Sequence, residues 1–284
     1  MIEALGPQLP QWLERAIGVL RLMLIVFALL VVLVVMLPFH LLALATGSDW
    51  AARIPVTFHR ILLWLLGIRV RIEGTVTRDR PLLLVSNHVS LLDIPVLSTI
   101  APLSFIAKSE IREWPVIGLF ARMQQTVFIE RGERRKAGQQ ARVIAARLAA
   151  RGIMVLFPEG TTGDANALLP FKTPLFEAAK LALAESDLDH AHVQAVAIQF
   201  HSLHGVPLCR AERPHVAWPG EVGLVESLLP VVLRGGLDVT VHCAPATQLT
   251  EASNRKVVAA QSRATIRNLL AGGPAPDATL DSAA

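Results

Sequence analysis

The segment PLLLVSNHVSLLD, residues 81–93, begins as an apolar run and becomes polar within a few residues. Its LLLV core is continuous rather than alternating, a pattern typical of a strand that is buried on both faces of a sheet. Ser90 and Asp93 then have the three-residue spacing of a helix start. The segment therefore predicts a buried strand, a polar turn and a helix, which is the repeating unit of α/β folds.

Further short apolar runs occur along the chain, and helical segments separate several of them. The remaining candidate strands are VRIEGTV from Val70, LSFIA from Leu103, TVFIE from Thr126, IMVLF from Ile153, VQAVAIQF from Val193 and LDVTVHC from Leu237. The clearest helix is RRKAGQQARVIAARLAARG, residues 134–152, in which Ala141, Ile144, Ala145 and Leu148 share one face. This alternation predicts an α/β fold with a mainly parallel sheet flanked by helices, and a final helix at about residues 251–270.

A long apolar stretch precedes this domain. LMLIVFALLVVLVVMLPF, residues 22–39, carries no charge over about 18 residues, near the length that spans a bilayer. It predicts a transmembrane helix at about residues 20–45, with a cleaved signal peptide as the alternative. IPVTFHRILLWLLGIRV, residues 54–70, predicts a helix lying at the membrane interface at about residues 54–68, or an ordinary packing helix.

The chain thus divides into an N-terminal membrane anchor at residues 1–68, a folded domain at residues 69–270 and a disordered tail at residues 271–284. Two arginines precede the apolar run and four follow it, namely Arg15 and Arg21, then Arg53, Arg60, Arg69 and Arg71. Because cytoplasmic flanks carry the excess of positive charge, this bias predicts an inner-membrane protein whose folded domain lies on the cytoplasmic side.

Composition narrows the binding partners. The net charge of +4 suits nucleic acid, anionic lipid or a phosphorylated substrate. Tyr is absent and no basic motif is interleaved with aromatic residues, so platforms for stacking bases are poorly supplied. We therefore expect a membrane surface or phosphate, and no nucleic acid. The two cysteines lack CxxC spacing, which fits a reducing compartment.

The constellation with the clearest chemistry is NHVSLLD, residues 87–93, at the predicted end of a strand, where α/β sheets place ligand sites. His88 can accept a proton from an attacking alcohol, and Asp93 can fix its other ring nitrogen. This is a catalytic triad without the protein nucleophile, which suits direct attack by a substrate hydroxyl. The alternative is structural, with Ser90 and Asp93 forming a capping box.

A second turn, FPEGTTGD at residues 157–164, also follows an apolar run. Gly160 lets backbone N–H groups and the Thr161 and Thr162 hydroxyls approach an anion, although an ordinary polar turn has the same composition. Arg131 follows FIE, and Arg134, Arg135 and Lys136 crowd the start of the next helix, where they can meet an anion or simply be solvated. The cluster His190, His192, His201, His204 and Cys209 has no standard zinc spacing, so we expect no metal.

In this order NHVSLLD, FIER, FPEGTT and VQAVAIQF resemble the four blocks of the PlsC-like 1-acylglycerol-3-phosphate acyltransferase family, over residues 70–200. The resemblance implies transfer of a fatty acyl group from acyl-CoA or acyl carrier protein to the free hydroxyl of a lysolipid, without a cofactor. It makes His88 the base and Asp93 its partner, and the same block contains Asn87 and Ser90. Arg131, Glu159, Gly160 and Thr161 would help hold the acceptor.

The acceptor is predicted first as lysophosphatidic acid, because Arg131 and the FPEGTT turn suit a phosphomonoester. Two departures occur, with Glu130 where the family has Asp and Ala195 where it has Pro. LPFKTPLFEAA from Leu169 and HVAWPGE from His215 resemble the branch that acylates lyso-ornithine lipid, which is the alternative. A phospholipid-dependent transacylase and a membrane scaffold also remain, whereas a lipid hydrolase would need the absent G-x-S-x-G.

Overall fold

The computed structural model describes residues 10–129, 137–149, 152–174, 176, 190–218, 223–250 and 252–274. Its helices are α1 Gln11–Thr46, α2 Trp50–Leu66, α3 Asp93–Ser98, α4 Ile117–Met123, α5 Ala137–Ala149, α6 Leu224–Arg234 and α7 Arg255–Leu270. Its strands are β1 Ile68–Glu73, β2 Leu82–Ser86, β3 Ser104–Lys108, β4 Val127–Ile129, β5 Ile153–Leu156, β6 Ala191–Leu203, β7 Val206–Pro207 and β8 Leu237–Leu249.

The strands form one sheet in the order β1-β8-β6-β2-β5-β3-β4, with β7 paired to β6. Neighbours from β6 through β2, β5 and β3 to β4 are all parallel. At the other edge β8 runs antiparallel to β6, and β1 runs parallel to β8. The predicted α/β class with a mainly parallel sheet is confirmed. The first residue of each predicted strand lies within two residues of the first residue of the observed strand. The two-residue strand β7 was not predicted.

Both faces of the sheet are covered. Leu82 and Leu84 belong to a core cluster that includes residues of α2, α3 and α6. Leu83 and Val85 belong to a second cluster, which includes residues of α5 and α7. Because each residue of β2 is buried whichever face it points to, this strand is a continuous apolar run in the sequence.

The N-terminal helices form a hairpin against the domain. Residues Arg15–Thr46 of α1 are long enough to cross a membrane, and an 18-residue window within them has a mean hydropathy of 3.2 and little burial inside the protein. Gly47 ends α1 in the left-handed conformation, and the chain turns back into α2. Residues 33–40 of α1 lie beside residues 54–59 of α2, so the two helices run antiparallel. The transmembrane and interfacial placements stay predictions.

Arg21 joins this hairpin to the domain. Its Nη2 donates to the Leu66 carbonyl at 2.9 Å, and its Nη1 donates to the Arg234 carbonyl. These carbonyls belong to the last residues of α2 and α6, where the helix dipole favours a positive charge. Gly67 and Gly235 pass directly beside the guanidinium and leave room for it. One arginine therefore caps two helices from a third.

Candidate active site

The carboxyl ends of the parallel strands gather the predicted residues at one edge of the sheet. Asn87 and His88 follow β2, and the turn at residues 157–160 follows β5, the neighbour of β2. Lys108 ends β3, the next strand along. Parallel sheets place their ligand sites at this edge. Arg131, Arg134, Arg135 and Lys136 lie outside the described residues, so their predicted part in the site stays a prediction.

His88 and Asp93 form the expected pair. Nδ1 of His88 lies 2.8 Å from Oδ2 of Asp93, whose carboxylate is fully buried. Since a carboxylate accepts, Nδ1 carries the proton and Nε2 is left with a lone pair. The imidazole stacks on the ring of Phe157, with centroids 4.0 Å apart and planes 14° from parallel. The side chain of His88 is 18% exposed, so Nε2 is held in one orientation and can be reached by a substrate.

Asp93 also organises the turn around His88. Its Oδ2 accepts the N–H groups of Val89 at 2.6 Å and of Ser90 at 2.9 Å. The bond to Ser90 has the spacing of one half of a capping box, although α3 begins at Asp93 itself, and the Ser90 hydroxyl oxygen accepts the Leu92 N–H at 3.3 Å. The structural and catalytic interpretations of this segment are therefore compatible, because one carboxylate oxygen serves both.

Asn87 ties the end of β2 to β6. Its Nδ2 donates to the Ile198 carbonyl at 2.9 Å, and its Oδ1 accepts the Ile198 N–H at 2.8 Å. The amide replaces a pair of ladder bonds just where β2 stops. With both amide groups occupied in this way, Asn87 fixes the point at which the chain leaves the sheet and presents His88.

Glu159 connects the two turns. Its Oε1 accepts the His88 N–H at 2.8 Å and its Oε2 accepts the Leu169 N–H at 2.8 Å. Burial raises the pKa of this carboxyl, and the two backbone N–H bonds oppose that rise because they favour the charged form. In this geometry Glu159 holds the main chain of His88. The contact with the acceptor that the resemblance implies stays a prediction.

Gly160 has a φ of 73°, which a glycine adopts without strain. Thr161 beside it is exposed, whereas the Thr162 hydroxyl donates to the Trp218 carbonyl. The Gly163 N–H donates to the His88 carbonyl at 2.9 Å. The Glu159 and Gly163 contacts attach the FPEGTTGD turn to both peptide groups of His88.

Two parts of the site were not assigned from the sequence. Lys172 lies against Gly160. The backbone N–H of Trp218 donates to the Val89 carbonyl at 2.8 Å. The indole rings of Trp218 and Trp114 meet edge to face, with centroids 5.9 Å apart. In the sequence, LPFKTPLFEAA and HVAWPGE, which contain Lys172 and Trp218, are distinguished only by their resemblance to the lyso-ornithine branch. The resemblance thus identified two segments of the site, but the sequence did not show that both segments lie beside His88 and Glu159.

The arrangement can serve as a general base for an incoming hydroxyl. Within the described part of the chain, no protein group hydrogen-bonds to Nε2 of His88, so no serine or cysteine nucleophile is paired with it. Fold and site together define an α/β enzyme with a His–Asp pair at the carboxyl edge of a parallel sheet.

Comparisons with known proteins agree with this class. The family model described as Acyltransferase matches residues 67–211. The chain is 44% identical over 266 residues to a lyso-ornithine lipid O-acyltransferase of Brucella abortus, covering 92% of this chain and 100% of the relative. It is 45% identical over 242 residues to a lyso-ornithine lipid O-acyltransferase of Rhizobium meliloti, covering 85% and 83%. A 1-acyl-sn-glycerol-3-phosphate acyltransferase of Neisseria gonorrhoeae is 34% identical over 189 residues, covering 66% and 69%.

The crystal structure of the 1-acyl-sn-glycerophosphate acyltransferase PlsC from Thermotoga maritima has the same fold, with a TM-score of 0.66 at 19% identity over 91% of this chain and 97% of that one. The chain belongs to the Acyltransferase family and is an O-acyltransferase. Its long apolar helix α1 indicates that it associates with a membrane.

Proposed function

We propose that this enzyme transfers a fatty acyl group from acyl-CoA or acyl carrier protein to the free hydroxyl of lyso-ornithine lipid. The observation that carries the choice of acceptor is where two segments of the chain lie. Lys172 rests on the Gly160 turn, and Trp218 is bonded to Val89 and Thr162. These segments carry the resemblance to the lyso-ornithine branch, and they are joined to the two turns that hold His88 and Glu159.

The relatives support the same choice. Identity to the two lyso-ornithine lipid O-acyltransferases is 44% and 45%, against 34% to the 1-acyl-sn-glycerol-3-phosphate acyltransferase. Lysophosphatidic acid is the second candidate acceptor. It is favoured by the four shared blocks and by the glycine turn at the carboxyl edge, where backbone N–H groups suit a phosphate.

The mechanism needs no covalent enzyme intermediate. Nε2 of His88 takes the proton of the acceptor hydroxyl as its oxygen attacks the thioester carbonyl. The C–S bond then breaks, and the departing thiolate receives the proton from the imidazolium. Asp93 stabilises the imidazolium through the 2.8 Å contact to Nδ1, and Phe157 keeps the ring in plane.

Acceptor and product are both lipids, so the acceptor reaches the site from the membrane that holds α1. The donor reaches it from the cytosol if the domain lies on the cytoplasmic side of the inner membrane, as the arginine bias predicts. In this arrangement the headgroup of the acceptor meets the two turns, and the acyl chain of the acceptor stays in the bilayer.

The test uses the purified full chain in detergent, with labelled acyl-CoA and, separately, labelled acyl carrier protein. Initial rates are compared for lyso-ornithine lipid, lysophosphatidic acid and lysophosphatidylcholine. We expect the fastest transfer to lyso-ornithine lipid. Preference for lysophosphatidic acid would reject this acceptor and keep the acyltransferase, and transfer only from labelled phospholipid would make the enzyme a transacylase.

A further inference from the structure

Lys172 is held in place by the loop that contains it. Its N–H donates to the Pro158 carbonyl at 2.8 Å, which pins it to the turn after β5. Three residues earlier, the Leu169 N–H is bound by Glu159 at 2.8 Å. Arg263 of α7 donates to the carbonyls of Leu168 at 3.0 Å and Leu169 at 3.2 Å. The loop that carries Lys172 is therefore bound both to the turn after β5 and to α7.

The side chain of Lys172 crosses directly over Gly160. A Cβ built on Gly160 would lie 2.7 Å from Nζ of Lys172, 3.0 Å from its Cδ and 3.1 Å from its Cε. Real Cβ atoms do not approach other atoms this closely, so any residue other than glycine would displace the lysine. The glycine thus meets two requirements: a positive φ, and room for an ammonium group laid across the turn.

Lys172 forms no ion pair within the described part of the chain. Among the described residues, no carboxylate lies within ion-pair distance of Nζ. Glu159 precedes Gly160, but backbone N–H groups occupy both of its carboxylate oxygens. Lys172 is exposed to solvent, and its side chain lies against Gly160, the residue next to Glu159, which itself touches His88.

We propose that the ammonium of Lys172 binds the anionic group of the acceptor headgroup, the carboxylate of lyso-ornithine lipid or the phosphate of lysophosphatidic acid. The proposal rests on the proposed function and adds the residue that recognises the headgroup. The ammonium lies against Gly160, and the preceding residue Glu159 binds the His88 N–H, so Lys172 can hold the anion of an acceptor while the hydroxyl of the same molecule meets His88. Lys172 acts on binding and not on the proton transfer.

The experiment compares Lys172→Gln and Lys172→Arg with wild type, and with Lys256→Gln as the matched control, since Lys256 is exposed on α7. Apparent KM and kcat are measured for lyso-ornithine lipid, for its carboxyl methyl ester and for lysophosphatidic acid. Binding of each acceptor is also measured without donor, by calorimetry in detergent. Thermal unfolding of every variant is recorded.

We expect Lys172→Gln to raise the KM and the Kd for the charged acceptors by about 10-fold or more, with kcat within about two-fold. Lys172→Arg should restore most of the affinity, and Lys256→Gln should match wild type. On the methyl ester the wild type and Lys172→Gln should bind alike. A rise confined to one of the two charged acceptors identifies which anion the ammonium meets.

An unchanged KM and Kd, or an equal loss on the methyl ester, would overturn the assignment. A fall in kcat alone would place Lys172 in the chemical step and overturn it too. Absence of transfer by wild type, with the difference in Kd preserved, would reject the proposed function and keep the lysine as the anion contact.

Discussion

The Oδ2 atom of Asp93 accepts three hydrogen bonds, one from the His88 ring and two from the backbone of the same turn. Its partner atom Oδ1 is buried and has no hydrogen-bond partner among the described residues. A buried carboxylate is costly unless donors surround it, and here the donors converge on one oxygen. Because one carboxylate oxygen binds both groups, the orientation of the His88 ring is coupled to the conformation of the turn that carries it.

Replacing His88 with Ala should lower the rate of acyl transfer by about 10²–10⁴-fold, because the base is lost. Asp93→Asn should also lose activity, since an amide cannot stabilise the imidazolium as a carboxylate does. Initial rates with labelled acyl-CoA check both. His190→Ala, at an exposed histidine, is the control and should keep full activity. If His88→Ala retains more than about a tenth of the rate, His88 is not the base.

Glu159→Gln should lower both activity and stability. One amide oxygen can replace only one of the two carboxylate oxygens, so the NH₂ group must face the N–H of His88 or of Leu169. A buried donor left without an acceptor costs about 1–3 kcal/mol of unfolding free energy. Chemical denaturation and initial rates measure the two effects, with exposed Glu226→Gln on α6 as the control. Wild-type stability with only a raised KM would instead assign Glu159 to the acceptor, as the resemblance implies.

At the scale of elements, α1, α2 and α6 meet at a junction made by one side chain. Arg21 donates to the last carbonyls of α2 and α6, and α1 carries it there. An added Cβ on Gly18 would lie 3.4 Å from the Leu233 side chain, so α1 and α6 also pack closely beside the arginine. The apolar helix is thus attached to the domain by polar bonds as well as by packing.

Arg21→Met should therefore lower the unfolding free energy by about 2 kcal/mol, since hydrogen bonds from a charged donor are lost at two helix ends. Thermal unfolding in detergent measures the change. Arg15→Met is the matched control, because Arg15 is exposed on the same helix and should leave the melting temperature unchanged. Equal effects of the two substitutions would show that only the total charge of α1 matters.

At the scale of the whole molecule, the side of the membrane on which the domain lies is open to a chemical test. Cys209 is exposed and Cys243 is buried, and burial raises the pKa of the Cys243 thiol to about 11. A thiol reacts as its thiolate, so Cys209 is the reactive reporter in the native chain.

With the domain in the cytoplasm, a membrane-impermeant maleimide should label Cys209 after permeabilisation and not in intact cells. Cys209→Ser should abolish the labelling and serves as the control for Cys243. Ready labelling of Cys209 in intact cells would place the domain on the other side of the membrane.

Much of this protein follows from short-range patterns in its sequence. Short apolar runs predicted the main strands, and the run of β2 is continuous because burial on both faces of a sheet removes polar residues from the strand. The His–Asp pair was also predictable, since His88 and Asp93 lie on one strand-to-helix turn and approach each other without help from distant segments. The apolar run of α1 is equally local, and the side of the membrane remains a prediction from the arginine bias.

The order of the strands was decided only in the tertiary structure. β8 enters the sheet between β1 and β6, and β5 pairs with β2. Backbone hydrogen bonds make these pairings, and backbone groups are the same in every residue, so no local pattern records which strand lies beside which. That order brings Glu159 to the main chain of His88, Lys172 to Gly160 and Trp218 to Val89. The sequence alone determined the chemistry of the pair, and long-range pairing decided what surrounds it.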